Sequence, residues 1–135
     1  MKTITREWIN KAEGDFATAQ REFIVQSDPN YDAVCFHSQQ CGEKLLKARL
    51  QEADVPFIKT HDLTVLLDLV LSVEPDWEIL RSELDPLTAY AVEYRYPGQT
   101  ADQSEAREAL GACRKLRSLV HAALGIEDGQ SESPG

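Results

Sequence analysis

From Ala106 to Leu124 apolar side chains return every three or four residues, at Ala106, Ala109, Leu110, Cys113, Leu116, Val120 and Leu124. That is the period of one face of an α-helix, and it excludes a strand over the same stretch. Thr100 and Gln103 ahead of it fit a capping box, and Gly125 behind it suits a left-handed stop. The same period governs the start of the chain, where Trp8, Ala12, Phe16, Ala19 and Phe23 predict a helix from about Thr5 to Val25. Ser27-Asp28-Pro29-Asn30 reads as a turn. A second helix is expected from about Tyr31 to Ala53, with small residues (Ser38, Cys41, Gly42) permitting close contact and Leu45, Leu46 and Leu50 forming an apolar half.

Val55-Pro56 ends that helix, and Thr60-His61-Asp62 reads as the start of another with Leu63, Leu66, Leu67 and Val70 inward. Pro75 opens a segment carrying Trp77, Leu80 and Leu84, with a restart or kink expected at Asp85-Pro86. No internal repeat and no strand pattern is evident. The fold class expected is all-α, an antiparallel up-and-down bundle of four long helices plus a short fifth. Residues 1–126 form the expected domain. Residues 127–135, rich in Gly, Ser, Glu and Pro, form an expected disordered acidic tail.

With 135 residues and 42% hydrophobic content, the chain reads as one soluble domain with a core that needs no staples. No apolar run reaches the roughly 20 residues needed to cross a bilayer. The polar N-terminus lacks a signal-peptide core, so a cytoplasmic location is expected. Cys35, Cys41 and Cys113 are scattered and odd in number, which favours buried reduced thiols over a disulfide or a zinc site. The formal net charge of −9 argues against broad DNA coating, so any nucleotide or RNA contact has to be a local basic spot.

Two motifs stand out from this background. Gln40, Glu43, Lys44 and Lys47 fall on one helical face, a polar stripe that can either contact phosphate or serve as a solvated face with a Glu43–Lys47 pair. Tyr94-Arg95-Tyr96-Pro97-Gly98 places a guanidinium and a phenol beside a rigid helix end. Arg95 can bind phosphate and Tyr96 can stack on a base. Alternatively Arg95 pairs with Glu93 or Glu43 and Tyr96 buries its ring. His61 can act as a base or phosphate donor, or simply as a turn residue. No glycine-rich phosphate loop, metal-ligand cluster or Ser-His-Asp arrangement is present, and no cofactor or metal is expected.

The order Trp8…Ala12…Asp15…Ala19, Tyr31-Asp32-Ala33, Gln40…Glu43-Lys44…Lys47-Ala48, Thr60-His61-Asp62-Leu63 and Arg95-Tyr96-Pro97 resembles the prokaryotic HEPN (higher eukaryotes and prokaryotes nucleotide-binding) domain family. The resemblance runs from about Trp8 to Leu124. It implies a five-helix bundle, a homodimer, and pairing with a small nucleotidyltransferase in a two-gene, toxin–antitoxin-like module. Active relatives carry an Arg-x4-6-His signature, and Arg114 and His121 satisfy it formally. Histidine can move the 2′-hydroxyl proton while arginine neutralises the phosphate, the chemistry of a metal-independent endoribonuclease. Against this, Lys115 follows Arg114 where active relatives often carry Asn or Asp, and Ala123 stands where some carry a tyrosine. A basic helix end also has a dipole explanation. The expected function is therefore a nucleotide- or RNA-phosphate-binding partner of a nucleotidyltransferase. The alternatives are the endoribonuclease and a non-catalytic adaptor that dimerises through the face around Cys41 and Gly42.

Overall fold

In the computed structural model the described residues are 1–90, 93 and 96–127. They form five α-helices: α1 (Thr3–Phe23), α2 (Tyr31–Glu52), α3 (Leu63–Val70), α4 (Arg81–Ala89) and α5 (Gln103–Leu124), with a 3-10 turn over Pro75–Leu80. No strand occurs among the described residues. The all-α bundle is the fold expected from the apolar periodicity. Of the expected tail, residues 128–135 lie outside the described residues.

α2 occupies the centre and packs against each of the other four helices. Its buried set (Val34, Cys35, Cys41, Leu45, Leu46, Ala48 and Leu50 among others) spreads well beyond one stripe and leaves the side of His37, Gln40 and Lys44 half-buried. α1 turns Ile9, Ala12, Phe16 and Ala19 inward, and α5 turns in Ala106, Leu110, Cys113, Leu116 and Val120. Burying each large aliphatic side chain contributes about 1.5–3 kcal/mol, so this core carries most of the stabilisation.

Local chemistry sets the helix ends. Asn30 caps α2 by accepting from the Ala33 amide at 3.0 Å. Asp62 caps α3 by accepting from the Thr64 amide at 2.9 Å. Asp54, with φ of 57°, follows α2 and turns the chain before Pro56. The capping box of α5 is formed by Asp102 and Glu105, not by Thr100 and Gln103. Asp102 Oδ1 accepts from the Glu105 amide at 2.8 Å, and Glu105 Oε1 from the Asp102 amide at 3.1 Å. This acidic pair, two residues further on, wins because carboxylates cap as well as hydroxyls and also favour the positive helix end. Gly125, at φ 74°, ends α5 as expected, and the Ile126 amide donates to the His121 carbonyl at 2.8 Å.

The region from Pro75 to Ala89 departs from expectation. Its break falls at Leu80–Arg81, where the 3-10 turn passes into α4, and Pro86 lies inside α4 rather than at its first position. Buried Trp77, Leu80, Leu84 and Leu87 hold this segment on the bundle despite the lost amide at Pro86. The small-residue face of α2 is also inside the protomer. Cys41 is fully buried, and a Cβ at Gly42 would touch Leu63, Leu87 and Leu116 at 3.4–3.8 Å. That face packs α3, α4 and α5 of the same chain, so it is not available for the dimer contact considered from the sequence. All three cysteines are buried free thiols. Burial, with nearby Glu105 and Asp32, pushes the Cys35 thiol up to about 12. Among the described residues no helix is long and apolar enough to cross a membrane.

Candidate functional site

The polar stripe of α2 is neither bare nor solvated. Glu43 and Lys47, one turn apart, are both buried, with side chains 6% exposed. Lys47 Nζ donates to Glu43 Oε2 at 2.9 Å. Its ammonium also stands 5.4 Å from the Trp8 ring centre and 6.0 Å from that of Phe57, rings that meet edge to face. Two aromatic faces and one carboxylate thus replace the water that the ammonium gives up on burial.

The second oxygen of Glu43 is turned outward. Its Oε1 lies 2.7 Å from His61 Nδ1, and the His61 side chain is 67% exposed. His61 is therefore anchored at one nitrogen and open to solvent at the other. Its carbonyl accepts from Gln39 Nε2 at 2.8 Å, and Gln39 Oε1 in turn accepts from Gln40 Nε2 at 2.8 Å. This chain of bonds brings Gln40, Glu43, Lys47 and His61 together. The pairing of Arg95 with Glu43 or Glu93 considered from the sequence lies outside the described residues.

Lys44 belongs to a neighbouring group. Its Nζ lies 2.5 Å from Asp15 Oδ2 on α1, and the other Asp15 oxygen is 2.8 Å from His37 Nδ1. Tyr96 is 63% exposed, so its ring is not buried as one reading of the sequence had it. Arg95 lies outside the described residues.

A third carboxylate sits between α1 and α5. Glu13 takes both arms of the Arg117 fork, Nε at 2.7 Å and Nη2 at 2.9 Å, and its Oε1 is also 3.2 Å from His121 Nε2. Burial raises the Glu13 carboxyl, but the hydrogen bonds from His121 and Arg117 outweigh it and hold the group at about 2. His121 is almost sealed, with its side chain 3% exposed, and it borders a cleft of about 300 Å³ whose wall includes Arg6, Asn10 and Glu13. Arg114 is exposed and lies over the Phe16 ring, its Cζ 5.9 Å from the centroid. The structure thus brings Arg117, not Arg114, onto the carboxylate that His121 faces.

One pattern covers all three sites. Each of the three histidines of the chain meets a carboxylate that also holds a lysine or arginine: His37 with Asp15 and Lys44, His61 with Glu43 and Lys47, His121 with Glu13 and Arg117. The sequence reading missed His37, Glu13 and Arg117, and Gln39 as the link between Gln40 and His61. The spacing of Arg117 and His121, four residues, was the available signal for one of these pairs. Among the described residues no group of His, Cys, Asp or Glu is arranged to hold a metal ion.

Comparison with known proteins adds a lineage to this geometry. The model of the HEPN domain matches residues 5–123. The crystal structure of TT1696 from Thermus thermophilus superposes with a TM-score of 0.71 at 26% identity, covering 90% of this chain and 98% of that one. The crystal structure of ST0689, an archaeal HEPN homologue, does so with a TM-score of 0.68 at 24% identity, covering 91% and 98%. No curated protein matches the chain.

Proposed function

The chain belongs to the HEPN domain family, and from that premise we propose that it is a homodimeric binding module that recognises a nucleotide or RNA phosphate and works beside a small nucleotidyltransferase. The observation that carries the reading is His61, held at Nδ1 by the buried Glu43 and presented to solvent. A carboxylate anchor fixes the plane of an imidazole and leaves Nε2 for a phosphate oxygen or a proton in transit. Glu43 and Lys47 are the support of this contact, Gln40 and Lys44 flank it, and Arg95 and Tyr96 complete the proposed ligand set with a guanidinium and an exposed ring. No cofactor is required for such binding. Residues 1–126 constitute the proposed domain, followed by an acidic tail, in a cytoplasmic protein.

The test is equilibrium binding of ATP and of a labelled RNA oligonucleotide in EDTA. His61→Ala should weaken the bound species about tenfold while the melting temperature stays within a few degrees. Equal affinity in wild type and variant would remove His61 from the contact. Mixing the chain with a small nucleotidyltransferase from the same genome should give a complex on gel filtration, and its absence would end the partnership.

A second reading, a metal-independent endoribonuclease, draws support from His121 and its cleft beside Glu13. In that reading Arg117 orients the carboxylate, and Arg114 is the phosphate-facing arginine. RNA turnover in EDTA that vanishes in His121→Ala and in Arg114→Ala, with both variants folded, would establish it. Intact RNA with the wild type would discard it. A non-catalytic adaptor would show neither binding nor turnover.

A further inference from the structure

Many basic side chains of this acidic protein are engaged by carboxylates. Arg49 meets Glu74, Arg81 meets Asp68 and Glu78, Lys115 meets Glu83, and Arg117 meets Glu13. Arg21, Arg107 and Arg114 differ. Among the described residues none of the three has a carboxylate within ion-pair distance; Arg21 has only a long contact of 3.4 Å to Thr18. All three are exposed; Arg21 and Arg114 line one groove between α1 and α5, and Arg107 lies over Phe23 at its border. The groove encloses about 390 Å³ and is bordered by Ala17, Gln20, Arg21, Phe23, Leu110 and Arg114. Arg107 lies over Phe23 and Arg114 over Phe16, at 5.7 and 5.9 Å from the ring centres.

A ring beneath a guanidinium holds it in place without cancelling its charge. The N–H edges stay available for an anion, and the loss of side-chain freedom on binding is reduced in advance. Arg107 and Arg114 are seven residues apart on α5, a rise of about 10 Å, longer than a single phosphate and suited to a chain of them. The net charge of −9 repels a long polyanion, whereas fields are screened beyond about 10 Å at moderate salt, so a compact anion feels mainly the three arginines. The groove volume falls within the range of small-molecule sites.

We propose that the α1–α5 groove binds a compact polyphosphate of nucleotide size through Arg21, Arg107 and Arg114, with Gln20 as a neutral partner on its wall. The proposal shares with the functions above the phosphate class of ligand and, with the ribonuclease reading, Arg114; none of its residues belongs to the His61 surface. It is tested by calorimetric titration of tripolyphosphate, of ATP and of a short RNA oligonucleotide at moderate salt, about 0.1 M. The variants are R107A/R114A, R21A and H61A, each confirmed as folded by its melting curve. Tripolyphosphate and ATP are expected to bind the wild type and to weaken about tenfold or more in R107A/R114A, and less in R21A. Equal affinity in the wild type and R107A/R114A, or no binding of either compact ligand to the wild type, overturns the groove. Binding of the oligonucleotide alone overturns the compact ligand. Loss in H61A with retention in R107A/R114A moves the site to His61, which sinks this proposal while sparing the other.

Discussion

Arg117 and Glu13, 104 residues apart, are joined by two parallel hydrogen bonds that tie the last helix of the bundle to the first. The pair is only partly shielded, and its carboxyl is held at about 2 against an ordinary value of 4.5. A depressed carboxyl contributes stability above its unfolded value and loses it as pH falls through the folded value. Unfolding free energy should therefore decline between about pH 4.5 and 2, with Glu13 contributing about 1–2 kcal/mol after allowance for solvent screening. Glu13→Gln should flatten that part of the profile in urea titrations taken at a series of pH values. An unchanged slope would show that other carboxylates govern acid unfolding.

Removing one member of the Glu43–Lys47 pair strands the other inside the bundle. Glu43→Ala is expected to cost about 3 kcal/mol or more, because Lys47 then keeps a buried charge with only aromatic faces near it. The double variant Glu43→Leu/Lys47→Met removes both charges and should recover much of that loss. Urea midpoints of the wild type and the two variants give the comparison. A double variant no more stable than Glu43→Ala would contradict the unpaired-charge account.

A Cβ added at Gly42 would meet three leucines, yet at ordinary contact distance rather than in a clash. Gly42→Ala is accordingly expected to be neutral or to stabilise by about 0.5–1 kcal/mol through helix propensity. Gly42→Leu should destabilise by about 1–3 kcal/mol through overpacking. Thermal denaturation separates the two. A destabilising alanine would mean that the leucine shell is unable to yield even at 3.4 Å.

The position of the α5 cap makes a sharp pairwise test. Asp102→Ala should cost about 1 kcal/mol, since Asp102 accepts from the Glu105 amide, whereas Thr100→Ala should be close to silent. Melting temperatures of the two variants decide it, and the reverse order would restore the cap read from the sequence.

The helices were legible because burial imposes a period that sequence displays directly. Leu63, Leu66, Leu67 and Val70 form the stripe of α3, and Gly125 stops α5, as their spacing and chemistry require. No helix restarts at Pro86, because a proline marks a first turn only on average, and here the packing of Leu84 and Leu87 keeps the helix running through it. The charged groups were far less legible. Lys47 is buried only because Trp8 from α1 and Phe57 from the α2–α3 connection converge on it, a coincidence of three separate segments. Glu13 and Arg117 show no pattern in a linear chain, because their register is set by how α1 and α5 lie on α2. The groove of Arg21, Arg107 and Arg114 escaped notice for the same reason, since an arginine without a carboxylate partner is recognisable only once every neighbour has a position.

The sealed pair on α2 also bears on how this lineage can change. A position filled by an aliphatic residue can drift through intermediates of similar size, each nearly as fit as the last. Positions 43 and 47 have no such route, because every single step toward a neutral core passes through a lone buried charge. The two sites should thus inherit their states jointly, as a compound character that is either retained for long periods or lost in one coordinated exchange, and His61, bonded to the same carboxylate, is drawn into that inheritance.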